Sequence, residues 1–214
     1  MKIFLDTAET RLIKPHFNTG LVDGVTTNPS LIAKSGRNPL DVYQELIDMG
    51  VPDVSMEVMG SAEEMTREGL ALSERFGTVA TIKVPCTPDG LAACSTLSAA
   101  RIDVNVTLVF SVAQSILCAK AGAKYVSPFV GRIDDLQLDG LTLIKDIASL
   151  YKARGVRTEV LSASIRDVRA ASKSFEYGAD IVTMPPAILE KMYGHALTDK
   201  GLEIFDRDAK NIKR

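Results

Sequence analysis

The sequence predicts an α/β fold closed as a (β/α)8 TIM barrel, and three observations predict it. Short apolar, β-branched runs recur eight times along 214 residues, their starts about 25 residues apart, which is room for one strand, one helix and two short loops. Helix signals fill the intervals, and strand–helix alternation throughout is the pattern of a parallel sheet. Eight such units in a chain of this length fit the short end of the barrel's size range. The competing open, doubly wound sheet usually carries G-x-G-x-x-G after its first strand. Here that turn reads Asp6-Thr7-Ala8-Glu9.

Strands are expected near residues 3–6, 22–26, 54–58, 80–84, 104–109, 125–130, 158–163 and 180–184. After the second strand, Thr26-Thr27-Asn28-Pro29-Ser30 places proline at a helix start, followed by Leu31, Ile32 and later Leu40, Val42, Leu46 and Ile47. Ser61-Ala62-Glu63-Glu64 is a capping box ahead of Met65, Leu70 and Leu72. Thr87-Pro88-Asp89-Gly90 opens a helix through Leu91 and Leu97. Residues 198–214 read as an additional C-terminal helix whose Leu202, Phe205, Ala209 and Ile212 share a face. That face packs either on its own barrel or on a neighbouring subunit. No linker, low-complexity tract or repeat beyond the βα unit interrupts the chain, so residues 1–214 are expected to form one domain.

Composition narrows the function. Lys plus Arg is 25 against 27 Asp plus Glu, a net charge of −2, which argues against a dedicated nucleic-acid or membrane-surface protein. Two histidines and three cysteines (Cys86, Cys94, Cys118) give no metal-ligand spacing, so no metal is expected, and the odd, scattered cysteines point to reduced thiols in a cytoplasm. The acid at Asp6 argues against a signal peptide, and no apolar run approaches the ~18 residues that span a bilayer.

The strands carry polar residues where a parallel sheet should be dry. Ser55 and Glu57 alternate with apolar neighbours, as do Thr81 and Lys83, then Asp103, Asn105 and Thr107; Ser127 and Phe129 share a face, and so do Ser162 and Ser164. The polar set is expected to face the barrel axis. An unpartnered buried polar group costs about 1–3 kcal/mol, so five strands doing this together argue for a shared polar pocket at the barrel's C-terminal mouth. Lys83, between Ile82 and Val84, is the sharpest member. Buried and neutral it would attack a carbonyl carbon to give a Schiff base; paired with Glu57 or Asp6 it would be a structural ion pair. Asp6, Glu57 and Thr107 sit at neighbouring strand ends and could move the protons that chemistry requires. Asp6 reads equally as an N-cap of the first helix. Arg132 after the sixth strand, with Ser164 and Arg166 after the seventh, makes a phosphate cradle where barrels hold phosphates.

Several segments together resemble the small transaldolases, the fructose-6-phosphate aldolase-like transaldolase family. They are Asp6-Thr7-Ala8; Gly24-Val25-Thr26-Thr27-Asn28-Pro29-Ser30-Leu31; Ile82-Lys83-Val84-Pro85 with Asp89-Gly90-Leu91; Ser127-Pro128-Phe129-Val130-Gly131-Arg132-Ile133-Asp134-Asp135; Ala163-Ser164-Ile165-Arg166; and Leu197-Thr198-Asp199-Lys200-Gly201. They run in order over nearly the whole chain. The resemblance implies class I aldol chemistry on a barrel, with neither metal nor cofactor. It implies that Lys83 forms the Schiff base and Asp6 is the acid/base on the donor's C4 hydroxyl, while Glu57 and Thr107 position the catalytic water. Asn28, Asn105, Ser127 and Thr26 would bind the dihydroxyacetone end, and Arg132, Ser164 and Arg166 the phosphate. The implied reaction moves dihydroxyacetone from a ketose phosphate, such as fructose 6-phosphate or sedoheptulose 7-phosphate, to an aldose phosphate. A cytoplasmic homo-oligomer is implied, a pentamer or decamer.

A sister branch, fructose-6-phosphate aldolase, releases free dihydroxyacetone; it carries Gln in place of Glu57, Tyr in place of Phe129 and usually Lys in place of Arg166. All three positions here resemble transaldolase. Ala196, where relatives often have Pro, and the absence of a Trp near Phe205-Asp206-Arg207-Asp208 are departures that bear on the last helix. Two readings of another class are a phosphosugar isomerase, which needs no Schiff-base lysine, and a sugar-phosphate sensor, which binds without turnover.

Overall fold

A computed structural model describes residues 1–212. Eight parallel strands close on themselves in chain order: β1 Lys2–Asp6, β2 Gly24–Thr26, β3 Val54–Glu57, β4 Ala80–Pro85, β5 Val104–Val109, β6 Tyr125–Pro128, β7 Glu159–Ser162 and β8 Ile181–Met184, with β8 pairing back onto β1. The helices are α1 Thr10–Phe17, α2 Pro29–Ser35, α3 Pro39–Asp48, α4 Ala62–Phe76, α5 Pro88–Ala99, α6 Val112–Lys120, α7 Val130–Asp134, α8 Gly140–Arg154, α9 Val168–Glu176, α10 Pro186–Tyr193 and α11 Ala196–Lys210. This is the expected (β/α)8 barrel with a trailing helix.

Local signals set the helix starts. Ser61 and Glu64 form the expected capping box at α4, and Thr87 accepts from the Gly90 amide at α5. The sequence marks one helix start ahead of Leu31 and Leu46, and the structure has two helices there. Gly36 ends α2 in the left-handed region, and Asn38 caps α3 with Pro39 behind it. The sixth strand is also shorter than expected, because Val130 already begins α7.

Two apolar layers hold the barrel. Outward residues such as Leu5, Val25, Met56, Ile82 and Val106 pack under Ile13, Leu46, Met65, Leu97 and Ile144 of the helices. Inside, Phe4, Tyr125, Leu161, Ala163 and Ile181 form a second cluster, with Phe4 and Tyr125 meeting edge to face at 6.1 Å. Gly24 is required by this filling. A Cβ there would lie 2.6 Å from the Phe4 ring and 2.8 Å from the Asp53 carbonyl. Below the cluster a polar network closes the N-terminal end. Asp53 accepts from Thr81, Lys124 and the Tyr125 hydroxyl, Lys124 bridges to Asp103, and Lys2 pairs with Glu159 at 2.9 Å. Burial and the Asp53 charge push the Tyr125 phenol above its ordinary range, so it stays a donor.

β7 corrects the sequence reading. Ser162 does not face the axis; its hydroxyl lies 2.9 Å from that of Ser174 on α9, and Leu161 and Ala163 point inward instead. The first helix also departs from one expectation, because Asp6 does not cap it. The residue before α1 is Glu9, which makes no side-chain cap bond. The apolar face of α11 is open. Leu202 is 55% exposed and Phe205 71%, so the alternative in which this face packs on its own barrel is not the one found. Residues 213–214 of the expected 198–214 helix lie outside the described residues.

Candidate active site

Register brings the polar residues together at the C-terminal ends of the strands. Asp6 pairs alongside Thr26, Glu57 alongside Lys83, and Lys83 alongside Asn105. A small cavity of about 110 Å³ opens above them, lined by Asp6, Thr26, Asn28, Lys83, Thr107, Ser127, Phe129, Arg132 and Ser164, with Leu161, Ala163 and Thr183 completing the wall. Among the candidate catalytic and binding residues, Glu57, Asn105 and Arg166 lie outside that lining, and of the wider polar set Ser55, Thr81, Asp103 and Ser162 lie outside it too. A larger cavity of about 900 Å³ lies between α6 and α8, and none of the candidate catalytic and binding residues lines it.

Lys83 is 3% exposed. Its Nζ sits 3.0 Å from Glu57 Oε2 and donates to the Thr27 carbonyl at 2.8 Å. The ion pair weighed from the sequence is therefore present; its lysine lines the cavity and its carboxylate lies behind that lining. Two charges so deep are stable only because each has a partner.

Asp6 has a different environment. Its Oδ1 accepts from the Thr26 hydroxyl at 2.8 Å, and the Thr26 hydroxyl lies 2.7 Å from that of Thr183. Burial raises the Asp6 carboxyl above its ordinary value; the Lys83 charge and the Thr26 bond oppose that rise without cancelling it. A carboxyl moved toward neutrality can both take and return a proton.

Thr107 carries the one orphaned side-chain atom among the described residues. Its Oγ1 is buried and has no hydrogen-bond partner. Such a group costs free energy unless something occupies the space before it. The next residue, Leu108, is held at φ 58° where the β5–β6 register shifts, so a bulge re-aims the strand end beside Thr107. Asn105 is fully buried beneath, donating to Ser55 at 3.2 Å and accepting from Ser127 at 2.6 Å, so it holds Ser127 in place. Asn28 spends its carbonyl on the Leu31 amide at the start of α2, which fixes its orientation at the rim.

The residues expected to cradle a phosphate are only partly brought together. Arg132 stacks over the Phe129 ring at 4.9 Å, and Phe129 in turn meets Phe110 edge to face at 5.9 Å. Ser164 adopts φ 60°, and its carbonyl accepts from the Gly131 amide at 3.1 Å. Gly131 has no space for a side chain, since a Cβ would lie 2.3 Å from that carbonyl. Arg166 is turned to Asp135 in a two-pronged pair, which holds the Asp135 carboxyl below the usual carboxylate range. To bind an anion Arg166 would have to exchange that partner.

Sequence reasoning missed Thr183, Leu161 and Ala163. Thr183 is the lone hydroxyl in Ile181-Val182-Thr183-Met184 and could have been found by the alternation applied elsewhere. Leu161 and Ala163 gave no signal, being apolar residues on a strand whose serines drew the inward assignment. Among the described residues no group of three or more His, Cys, Asp or Glu is placed to hold a metal ion, and no helix is long and apolar enough to cross a membrane.

A closed (β/α)8 barrel with a buried lysine–carboxylate pair and a second, perturbed carboxyl at its C-terminal mouth defines the class of protein at hand. Residues 3–214 match the family described as Transaldolase/Fructose-6-phosphate aldolase, and the chain belongs to that family. It is 50% identical over 209 residues to a probable transaldolase of Cereibacter sphaeroides, covering 97% of this chain and 95% of the relative. It is 51% identical over 211 residues to one of Ruegeria sp., covering 98% and 97%. A probable transaldolase of Nitrosopumilus maritimus is 48% identical over 215 residues, covering 100% and 96%.

Proposed function

We propose that this chain is a transaldolase that carries dihydroxyacetone from a ketose phosphate, fructose 6-phosphate or sedoheptulose 7-phosphate, to an aldose phosphate through a Schiff base on Lys83. The observation that carries the reading is the placement of the Lys83 Nζ at the cavity, 3.0 Å from Glu57, with Asp6 on the facing wall. Glu57 accepts a Lys83 proton, freeing the amine to attack the ketone carbon. The carbinolamine loses water as Glu57 and Thr107 handle the departing oxygen; the orphaned Thr107 hydroxyl supports that role. Asp6 takes the proton of the C4 hydroxyl, the C3–C4 bond breaks, and its electron pair stays on the lysine-bound three-carbon unit as an enamine. The aldose phosphate leaves. An acceptor aldehyde then receives the C3 carbon, Asp6 returns its proton, and water releases the new ketose.

Asn28, Ser127 and Thr26 hold the dihydroxyacetone end, with Asn105 bracing Ser127. Arg132 and Ser164 receive the phosphate, joined by Arg166 once it exchanges Asp135. Phe129 favours transfer over release of free dihydroxyacetone, because its ring offers no hydroxyl to activate water for hydrolysis of the intermediate. The same reading makes the enzyme one cytoplasmic domain of the non-oxidative pentose phosphate pathway, needing neither metal nor cofactor. It also makes it a homo-oligomer, pentamer or decamer, in which a neighbouring copy covers the open face of α11.

The test is reduction with borohydride after incubation with fructose 6-phosphate. A mass-shifted peptide bearing Lys83 is expected, together with aldose transfer that depends on erythrose 4-phosphate. No adduct, with the Lys83→Ala variant still active, would overturn the reading.

A further inference from the structure

In the β4–α5 junction and on the neighbouring α6 lie two thiols that the proposed reaction does not use. Cys86 directly follows β4, three residues after Lys83, and is partly exposed; Cys118 is fully buried on α6. They are 32 residues apart in sequence, yet their sulfurs sit 3.8 Å apart in hydrogen-bond contact. Cys94 is different: it is buried and turned to the Ala121 carbonyl, and burial pushes its thiol up to about 12. We propose that Cys86 and Cys118 are a hydroperoxide-sensitive dithiol, and that its oxidation to a disulfide reversibly slows turnover at the neighbouring site.

The two sulfurs divide the chemistry. Cys86 is the solvent-facing member, and hydrogen bonding from Cys118 holds its thiol below the ordinary range, whereas Cys118 is pushed well above it by that bond and by burial. Cys86 is therefore the attacking thiolate and Cys118 the resolving thiol. The Cys86 sulfur attacks the distal oxygen of a hydroperoxide; an S–O bond forms, the O–O bond breaks, and the alcohol or water leaves with the thiol proton. The Cys118 sulfur then attacks the Cys86 sulfur, the S–S bond forms, the S–O bond breaks, and hydroxide leaves as water with the Cys118 proton. Two thiols and one peroxide yield one disulfide, one alcohol or water, and one water. A small dithiol reverses the change by exchange.

Geometry couples the bond to the site. A disulfide needs an S–S distance of about 2.05 Å, so the sulfurs must close by nearly 2 Å. The Cys86 backbone is tied to the site. Its amide donates to the Thr107 carbonyl at 2.9 Å, and the adjoining Pro85 carbonyl is packed so close to Gly90 that a Cβ there would lie 1.9 Å from it. Drawing Cys86 toward α6 therefore loads the Thr107 strand end and the segment carrying Lys83. This consequence for turnover rests on the function proposed above; formation of the disulfide does not.

The experiment treats the whole protein with hydrogen peroxide, blocks free thiols with N-ethylmaleimide and maps the peptides by mass spectrometry. The expected result is a Cys86–Cys118 linked pair two hydrogens lighter, Cys94 alkylated, and full reversal by dithiothreitol. In Cys118→Ser the Cys86 sulfenic acid should persist and be trapped by dimedone, while Cys94→Ser should oxidise like the wild type. Alkylation of all three thiols after treatment, or oxidation of Cys86 past the sulfenic state without linkage, overturns the dithiol. Turnover of the oxidised wild type should fall at least threefold and recover with reductant, and Cys118→Ala should keep its turnover after the oxidation step alone. A linked protein with unchanged kcat overturns the coupling. Because linkage is read by mass, a protein without transaldolase activity still decides the dithiol.

Discussion

Replacing Lys83 with methionine keeps the stem of the side chain and removes its charge, leaving Glu57 as an unpaired carboxylate. The two side chains are 4% and 8% exposed, so solvent screens the pair little. Breaking a buried pair by removing one partner costs about 3–5 kcal/mol. A ceiling applies at pH 7, because a carboxylate of ordinary pKa can escape by binding a proton for about 3.7 kcal/mol. We expect Lys83→Met to lose about 3 kcal/mol at pH 7, which for a chain of this length lowers Tm by about 6–12 °C. At pH 5 the ceiling drops to about 1 kcal/mol, and the loss should shrink to about 2–4 °C. The sign follows from linkage. In the variant the buried carboxyl binds its proton more tightly than the unfolded chain does, so stability falls as pH rises from 5 to 7. Adding Glu57→Gln removes the stranded charge, and the double variant should recover about 2 kcal/mol relative to the sum of the single losses. The assay is urea and thermal denaturation of the wild type, both single variants and the double variant at the two pH values. Additive losses, or a Lys83→Met penalty equal at pH 5 and 7, would refute the pairing argument.

Asp6→Asn should lower kcat by about 10²–10⁴-fold. Burial holds the Asp6 carboxyl above its unfolded value, so wild-type stability falls as pH rises through that window, and urea titrations from pH 4 to 7 should show the fall reduced in Asp6→Asn. Phe129→Tyr should raise dihydroxyacetone release relative to transfer, measured with and without erythrose 4-phosphate; an unchanged ratio would count against the water-activation argument. Ser61→Ala, which removes the α4 cap, should cost about 1 kcal/mol, or about 2–4 °C in Tm, with kcat unchanged.

The barrel was legible because its strands and helix starts carry local chemistry. Ser61, Thr87 and Asn28 announce helices by side chains that reach their own backbone, and such signals need no tertiary context. The inward faces of β3, β4 and β5 were legible for a related reason, since a lysine or glutamate inside an apolar strand has few places to go. β7 was not, because a serine is small enough to satisfy itself against either layer, and Ser162 chose Ser174 on α9. The break between α2 and α3 was readable in Gly36 and Asn38-Pro39, yet the apolar residues on both sides run on from one marked start. The pairing of Arg166 with Asp135 had no sequence signal at all. Two residues 31 apart meet only because α7 and the loop after β7 are neighbours, and an arginine suited to an anion is equally suited to a carboxylate.

The network of Asp53, Thr81, Lys124 and Tyr125 fills the lower end of the barrel, and the chamber lies above it at the C-terminal ends of the strands. Its space, about 110 Å³, is small beside the roughly 300–1,000 Å³ of common ligand sites. Under the proposed reaction, donor and acceptor must therefore occupy the same space in turn. The first aldose has to depart before the second arrives, and the lysine-bound fragment waits alone between the two visits. Initial-velocity plots against donor at several acceptor concentrations should then run parallel, the kinetic signature of a double displacement. The size of the chamber would thereby fix the order of events.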